Sequence, residues 1–428
     1  MKVAKLYSFN DIRIEDVAIP EAGPCDALMK TGASGICSGD VMRWYIEKKA
    51  PLVLGHEPAG EIVELGSAFR TPHSAFSVGD RVFVHHHAPC LTCRYCRRGD
   101  HVQCETWKKT KIIPGGISEY ILIPEINLKT DTLKLSEKVS FEDGTLIEPT
   151  ACVLKGLKRA GFRLYPTENR DNSTCPPSDP SLVPPLLRGE EKGGEEGLAP
   201  SLDGSTSFHF PSIELNPSHH FSSIEGDLSH HFPSLEGRGE GEGDVSFSDR
   251  TVLVIGLGVM GQLNILVARR FGAGRIIGAD KVQYRLKKAK EFGADEVIDV
   301  SRENLDSSLR RLTNGEMADL VIVGPNSVEA MQGGLSGAGR GGTVLLFTPA
   351  KPGEKLLIDP NYLYFNDISI VTSYSCGPVE TREALMLIEE GTVSGEKLIT
   401  HRFPIEKTAE AFRLTAEARD SLKVVITF

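Results

Sequence analysis

The chain carries two hydrophobic rhythms. Over roughly residues 1–130, short apolar runs are broken by Gly and Pro: DIRIEDV, GEIVELG, DRVFVHHH and SEYILIP. Val and Ile recur there at the spacing of half-buried strands, so this part reads as a small, mostly β domain. From about Phe141 to Ala160 the pattern turns helical. TVLVI at 251–255 is a continuous apolar run, as expected of a parallel strand covered on both faces. A helical stretch, QLNILVARRFGA, follows it, then the strand-like runs RIIGAD, ADEVIDV, ADLVIVG and GGTVLLF. This alternation predicts an α/β fold with a doubly wound parallel sheet. Beyond about residue 356 the chain returns to mixed strands, with one helix at TREALMLIEEG.

Between these parts, about Pro166 to Ser248, the rhythm is lost. The segment is rich in Pro, Gly, Ser and Glu and holds three near-copies of an 11-residue unit, FHFPSIELNPS, HHFSSIEGDLS and HHFPSLEGRGE. It cannot bury enough apolar surface to offset ordering entropy, which predicts a long disordered insertion. Five of the twelve His fall here. A His tract can bind metal, but the composition favours a passive low-complexity insertion.

A length of 428 residues predicts two domains. The formal net charge of −10 argues against a nucleic-acid partner. No apolar run is long enough to span a bilayer. The opening MKVAKLYSFNDIRIEDV has no apolar core of the secretory kind, so the expected setting is cytoplasmic.

Cysteine use points to metal. Of nine Cys, four are spaced as Cys90-x2-Cys93-x2-Cys96-x7-Cys104. Four thiolates this close can wrap a tetrahedral zinc and leave no vacancy for water, which makes the site structural. Redox disulfides or an iron–sulfur centre are the weaker alternatives. A second motif, Gly256-Leu-Gly258-Val-Met-Gly261, follows a strand and opens a helix, and Asp280 ends the next strand. This is the context in which glycines let a pyrophosphate reach a helix N-terminus and an acid binds the ribose hydroxyls. A carboxylate at Asp280 favours NAD over NADP, although Lys281 beside it keeps NADP possible. A third set is scattered: Cys37 in GICSGD, His56 and Glu57 in GHEPAG, and Glu148. These are suitable ligands for a catalytic zinc, but no spacing rule selects them over a buried thiol and solvated carboxylates. His85, His86 and His87 alternate sides on a strand and cannot share one ion.

Together these stretches resemble the zinc-containing medium-chain alcohol dehydrogenase superfamily, in particular its sorbitol, threonine and other polyol dehydrogenases. The resemblance rests on GICSGD, LVLGHEPAGEIVELG, VGDRVFV, the four-Cys lobe, GGISEYILIP, IEPTACVL, TVLVIGLGVMG and LITHRFPIEKTAEAF. It covers almost everything outside the insertion. It implies a split GroES-like catalytic domain, residues 1–152 and 356–428, around a Rossmann-type NAD-binding domain at 153–355 that contains the insertion. It implies Cys37, His56 and Glu148 as ligands of a catalytic zinc, with Glu57 nearby and Asp40 hydrogen-bonding His56. Cys152 would then be a packed thiol. The superfamily's relay hydroxyl, two residues after the ligand Cys, is replaced here by Gly39, so Ser38 or a water would take its place. The implied cofactor contacts are Gly256, Gly258, Val259, Met260, Gly261, Asp280 and Arg285. The implied enzyme holds two zinc ions per chain and moves a hydride from the CH–OH group of a small alcohol or polyol to NAD. It would assemble as a homo-oligomer, a dimer or tetramer. L-threonine 3-dehydrogenase and a catalytically inactive NAD-binding member stay open as alternatives.

Overall fold

The computed structural model describes residues 1–69, 75–162 and 247–428. Residues 166–246 of the expected insertion lie outside the described residues.

Six strands form an all-parallel sheet in the order Glu296–Asp299, Arg275–Asp280, Thr251–Ile255, Ala318–Val323, Ala338–Leu346, Ser369–Thr372. Numbered along the chain this is 3-2-1-4-5-6, which opens a crevice where the order reverses. The continuous apolar runs are explained by the two faces. Val252, Val254, Ile276 and Leu320 pack with Leu263 of helix Val259–Arg270 and with Leu154 and Leu157 of helix Ile147–Arg159. Their neighbours Leu253, Ile255, Ile277 and Val321 pack on the opposite side, against Leu309, Met331 and Leu335. Burying both faces demands apolar residues at every position, so alternation disappears. The sixth strand, Ser369–Thr372, lies past the boundary at residue 355 expected for this domain. It is a short edge strand with half-exposed side chains, so its own pattern does not mark it as part of a buried sheet.

The main sheet of the mostly β part has seven strands. Six run in the order Ile399–Pro404, Lys423–Thr427, Ala27–Gly35, Glu57–Leu65, Arg81–Val84, Thr132–Lys134, and Tyr120–Ile123 also pairs with Ala27–Gly35. Strands from the two ends of the sequence thus share one sheet. A third sheet joins Asp11–Asp16, Lys2–Ser8 and Leu52–Val53. Among the described residues, no helix is long and apolar enough to cross a membrane.

Candidate active site

Strand register creates the first cluster. Gly35 stands opposite Glu57 on one side and Val425 on the other. The turn that follows Gly35 carries Cys37, and the residue before Glu57 is His56. The ligand atoms of Cys37, His56 and Glu57 lie within 4.8 Å of one another. His56 Nδ1 faces Asp40 Oδ2 at 3.2 Å, which leaves Nε2 as the available donor. Such a carboxylate partner fixes the tautomer of a ligating imidazole. Cys37 Sγ accepts the Gly39 N–H at 3.3 Å. Ser38 is exposed in the same turn.

Glu57 is fully buried. One of its oxygens is paired with Lys423 Nζ, which is buried too and also donates to the Ile36 carbonyl at 3.3 Å. Its other oxygen, Oε1, has no hydrogen-bond partner among the described residues. A side chain at Gly35 would put a Cβ 2.1 Å from Glu57 Oε2, so only glycine leaves room for the pair. A buried carboxylate oxygen without a partner, beside a thiol and an oriented imidazole, fits a divalent metal of the zinc type.

Electrostatics agree with that donor set. Burial opposes charge on His56, but Asp40 and Cys37 outweigh it and raise its pKa well above the ordinary value. Burial likewise opposes ionisation of Asp40, but His56, Lys49 and Lys423 hold its carboxyl below the usual range. Burial pushes the Cys37 thiol and the Glu57 carboxyl up. A cation at this point would favour the deprotonated form of each ligand.

Glu148, the other carboxylate expected at this zinc, is near enough to Glu57 to oppose its ionisation. It opens helix Ile147–Arg159, and its carboxylate lies within 4.8 Å of the ligand atoms of His85 and Cys376 rather than in the Cys37 cluster. Cys152, one turn on, donates to Glu148 Oε1 at 3.3 Å. The three consecutive histidines lie just past the end of strand Arg81–Val84, so strand alternation does not apply to them, and their side chains meet different partners. His85 Nδ1 meets Asp131 Oδ2 at 2.8 Å, the His86 ring lies tilted against His56 with centroids 4.8 Å apart, and His87 Nδ1 meets the Thr110 carbonyl at 2.6 Å.

The four-Cys lobe closes on itself. Sγ–Sγ separations are 3.6 Å for Cys93–Cys96, 3.6 Å for Cys90–Cys104 and 4.0 Å for Cys90–Cys96. Thiolates on a tetrahedral zinc, with Zn–S near 2.3 Å, lie about 3.8 Å apart. Backbone N–H groups of Cys90 and Cys93 point at Cys104 and Cys90 sulfurs, each at 3.4 Å. Burial works against the Cys90 thiolate, but donors from Thr92 and Cys93 outweigh it and lower its pKa to about 6. Val102 and Trp107 form the small apolar base of the lobe.

At the sheet crevice, Gly258 is the N-cap of helix Val259–Arg270. Gly256 holds φ +84°, and a Cβ on Gly261 would stand 2.1 Å from the Gly256 carbonyl oxygen. Met260 and Val259 form the first turn beyond the cap. Asp280 Oδ2 accepts the Leu257 N–H at 2.7 Å and Oδ1 accepts the Val282 N–H at 2.9 Å. Arg285 approaches Asp280 Oδ2 to 3.6 Å and flanks Gly258. The helix N-terminus with its glycine approach is built for a pyrophosphate.

Two family models match this chain. Residues 23–131 match the alcohol dehydrogenase GroES-like domain, and residues 259–390 match the zinc-binding dehydrogenase family. Together these take in more than half of the sequence. The chain belongs to the zinc-containing medium-chain alcohol dehydrogenase superfamily. The sorbitol dehydrogenase of Ovis aries is 26% identical to this dehydrogenase over 97% of the chain and 93% of its own length. The L-threonine 3-dehydrogenase of Rhizobium etli (strain CIAT 652) is 25% identical over 96% of the chain and 94% of its own. A zinc-binding dehydrogenase of Sinorhizobium meliloti 1021, solved with NADP, shares the fold, with a TM-score of 0.71 at 22% identity, covering 100% of this chain and 99% of that one. The expected fold class, a Rossmann-type parallel sheet with a GroES-like β domain, is that of the superfamily.

Lys423 and Cys376 are the residues of this dehydrogenase that motif reading misses. Each lies more than 200 positions from its partners Glu57 and Glu148. The one sequence signal is a lysine set in an otherwise apolar strand, KVVIT.

Proposed function

We propose that this dehydrogenase moves a hydride from the CH–OH group of a small alcohol or polyol to a nicotinamide cofactor. Cys37 Sγ, His56 Nε2 and the Glu57 carboxylate would hold the catalytic zinc, and Cys90, Cys93, Cys96 and Cys104 a structural one. When bound, zinc supplies Lewis acidity to the substrate hydroxyl and the nicotinamide ring accepts the hydride. The chain supplies placement. Asp40 fixes His56, Lys423 balances Glu57 until the ion is present, and the glycine loop with Asp280 seats the dinucleotide. NAD is preferred to NADP, because Asp280 would repel a 2′-phosphate. Arg285 beside it softens that preference. Ser38 or a water receives the substrate proton in place of the hydroxyl missing at Gly39.

The observation that carries this reading is the grouping of Cys37, His56 and Glu57 within 4.8 Å, with Asp40 behind the imidazole. The test is zinc analysis together with NADH formation on sorbitol, xylitol and L-threonine. Turnover with zinc at both sites is expected. Tight NAD binding with one zinc and no turnover on any CH–OH donor would overturn it. A rate highest on L-threonine would assign the chain to threonine oxidation.

A further inference from the structure

We propose that Lys49, with the hydroxyls of Tyr45 and Tyr374, forms a subsite beside the Cys37 cluster for an anionic group on the substrate, a carboxylate or phosphate carried away from the reacting CH–OH carbon. Such a compound is a special case of the alcohol oxidation proposed above, on which this assignment rests.

The chain between Cys37 and His56 carries these groups. After the turn that holds Cys37 and Asp40 come helix Arg43–Ile46 and the short turn Glu47–Lys49. Lys49 is exposed, and its Nζ lies 3.7 Å from the centre of the Tyr45 ring. The Tyr45 hydroxyl meets that of Tyr374, which stands just beyond strand Ser369–Thr372 with its ring 5.9 Å from Trp107. In such a pair one O–H is spent on its partner and the other is free to donate. His86, tilted against His56, also feels the Lys49 charge, and its Nδ1 is buried without a hydrogen-bond partner among the described residues. Lys49, the two tyrosines and His86 thus flank the Cys37–His56 group with donors it does not use.

Charge makes the case. The carboxylates near Lys49 are taken, Glu47 by Arg43 at 3.0 Å and Asp40 by His56 at 3.2 Å. Among the described residues the Lys49 ammonium has no hydrogen-bond or salt-bridge partner, and it rests on the face of Tyr45. Partial burial lowers its pKa, and the pull of Asp40, Tyr374 and Cys37 does not make up the difference. Asp40 and Cys37 act on it from beyond hydrogen-bonding distance, so room remains between this cation and the cluster. A neutral polyol would leave the charge uncompensated. An anion seated there would meet it at short range, where solvent screening is reduced, and take a hydrogen bond from a tyrosine hydroxyl as well.

The test uses the full-length, zinc-loaded protein with NADH bound, so that no alcohol is oxidised and binding is read alone. Two matched pairs are titrated by calorimetry: sorbitol against sorbitol 6-phosphate, and 1,3-butanediol against 3-hydroxybutyrate. At least one anion should bind about tenfold or more tightly than its neutral partner, the scale of a charge-assisted hydrogen bond. The pair that shows the preference tells phosphate from carboxylate. Lys49→Met should remove the preference and Lys49→Arg should keep it. Lys48→Met, which removes an ammonium 5.3 Å from the Trp44 ring, should leave it unchanged. Equal binding within both pairs, or a preference that survives Lys49→Met, would overturn the subsite. If Lys49→Met fails to fold, Lys49→Gln replaces it and the wild-type pairs are read first. A protein that binds an anion through Lys49 but forms no NADH from that compound and NAD would instead count against the proposed oxidation, a separate result.

Discussion

At the scale of single residues, the Lys423–Glu57 pair is the sharpest probe of the metal assignment. Both groups are about 1% exposed. Removing one partner of a buried ion pair leaves the other charge without compensation, which typically costs about 3–5 kcal/mol. Lys423→Met is therefore expected to lower stability by about that amount in chelator-treated protein. In zinc-loaded protein the loss should shrink, because the ion would then meet the Glu57 charge. Urea unfolding with and without zinc measures both, and equal losses would argue against Glu57 as a ligand. What the sequence reveals at this scale is local grammar. GICSGD and GHEPAG name Cys37, Asp40, His56 and Glu57, all close along the chain to the elements that hold them. The choice between Glu57 and Glu148 is not written there. It depends on which carboxylate faces which cluster, and that is set by strand register and by the entry angle of helix Ile147–Arg159.

At the scale of elements, the nucleotide loop separates folding from binding. A Cβ on Gly261 would press to 2.1 Å on the Gly256 carbonyl oxygen, so the helix must move off the strand. Gly261→Ala should lose about 1–3 kcal/mol, as overpacked sites do. A Cβ on Gly258 meets only the Arg285 guanidinium, at 3.9 Å. Gly258→Ala should therefore unfold within about 0.5 kcal/mol of the parent, yet raise KM for NAD by crowding the approach to the helix N-terminus. Thermal melts and cofactor titrations distinguish the two; a stable Gly261→Ala with normal binding would show the close approach to be incidental. The elements themselves are largely legible. TVLVI, RIIGAD and ADLVIVG announce buried strands because both faces are covered. Ser369–Thr372 is hidden from such reading, since an edge strand with half-exposed side chains lacks that signature.

At the scale of the whole molecule, two surfaces carry expectations. The edge strand Ser369–Thr372 follows a short helix whose Tyr364 and Phe365 are 77% and 74% exposed. An open strand edge beside exposed aromatics is a site for association, so a homo-oligomer is expected. Tyr364→Glu with Phe365→Glu should shift it toward monomer in light scattering. The second surface is where the chain leaves and re-enters the described structure. Before the gap, helix Ile147–Arg159 is closed by its own cap: Phe162 N–H donates to the Leu157 carbonyl at 2.9 Å, Gly161 takes φ +80°, and the Phe162 ring is buried. After the gap, Arg275 N–H donates to the Arg250 carbonyl at 3.1 Å, just ahead of strand Thr251–Ile255. The composition of residues 166–246 is that expected of a disordered segment, and a flexible connection of that length would cost about 2–3 kcal/mol more in closure entropy than a turn of a few residues. Replacing residues 166–246 with a short Gly/Ser bridge should therefore leave kcat/KM and zinc content unchanged and raise the melting temperature. A bridged protein that folds and binds zinc but has lost turnover would show that the segment takes part in catalysis.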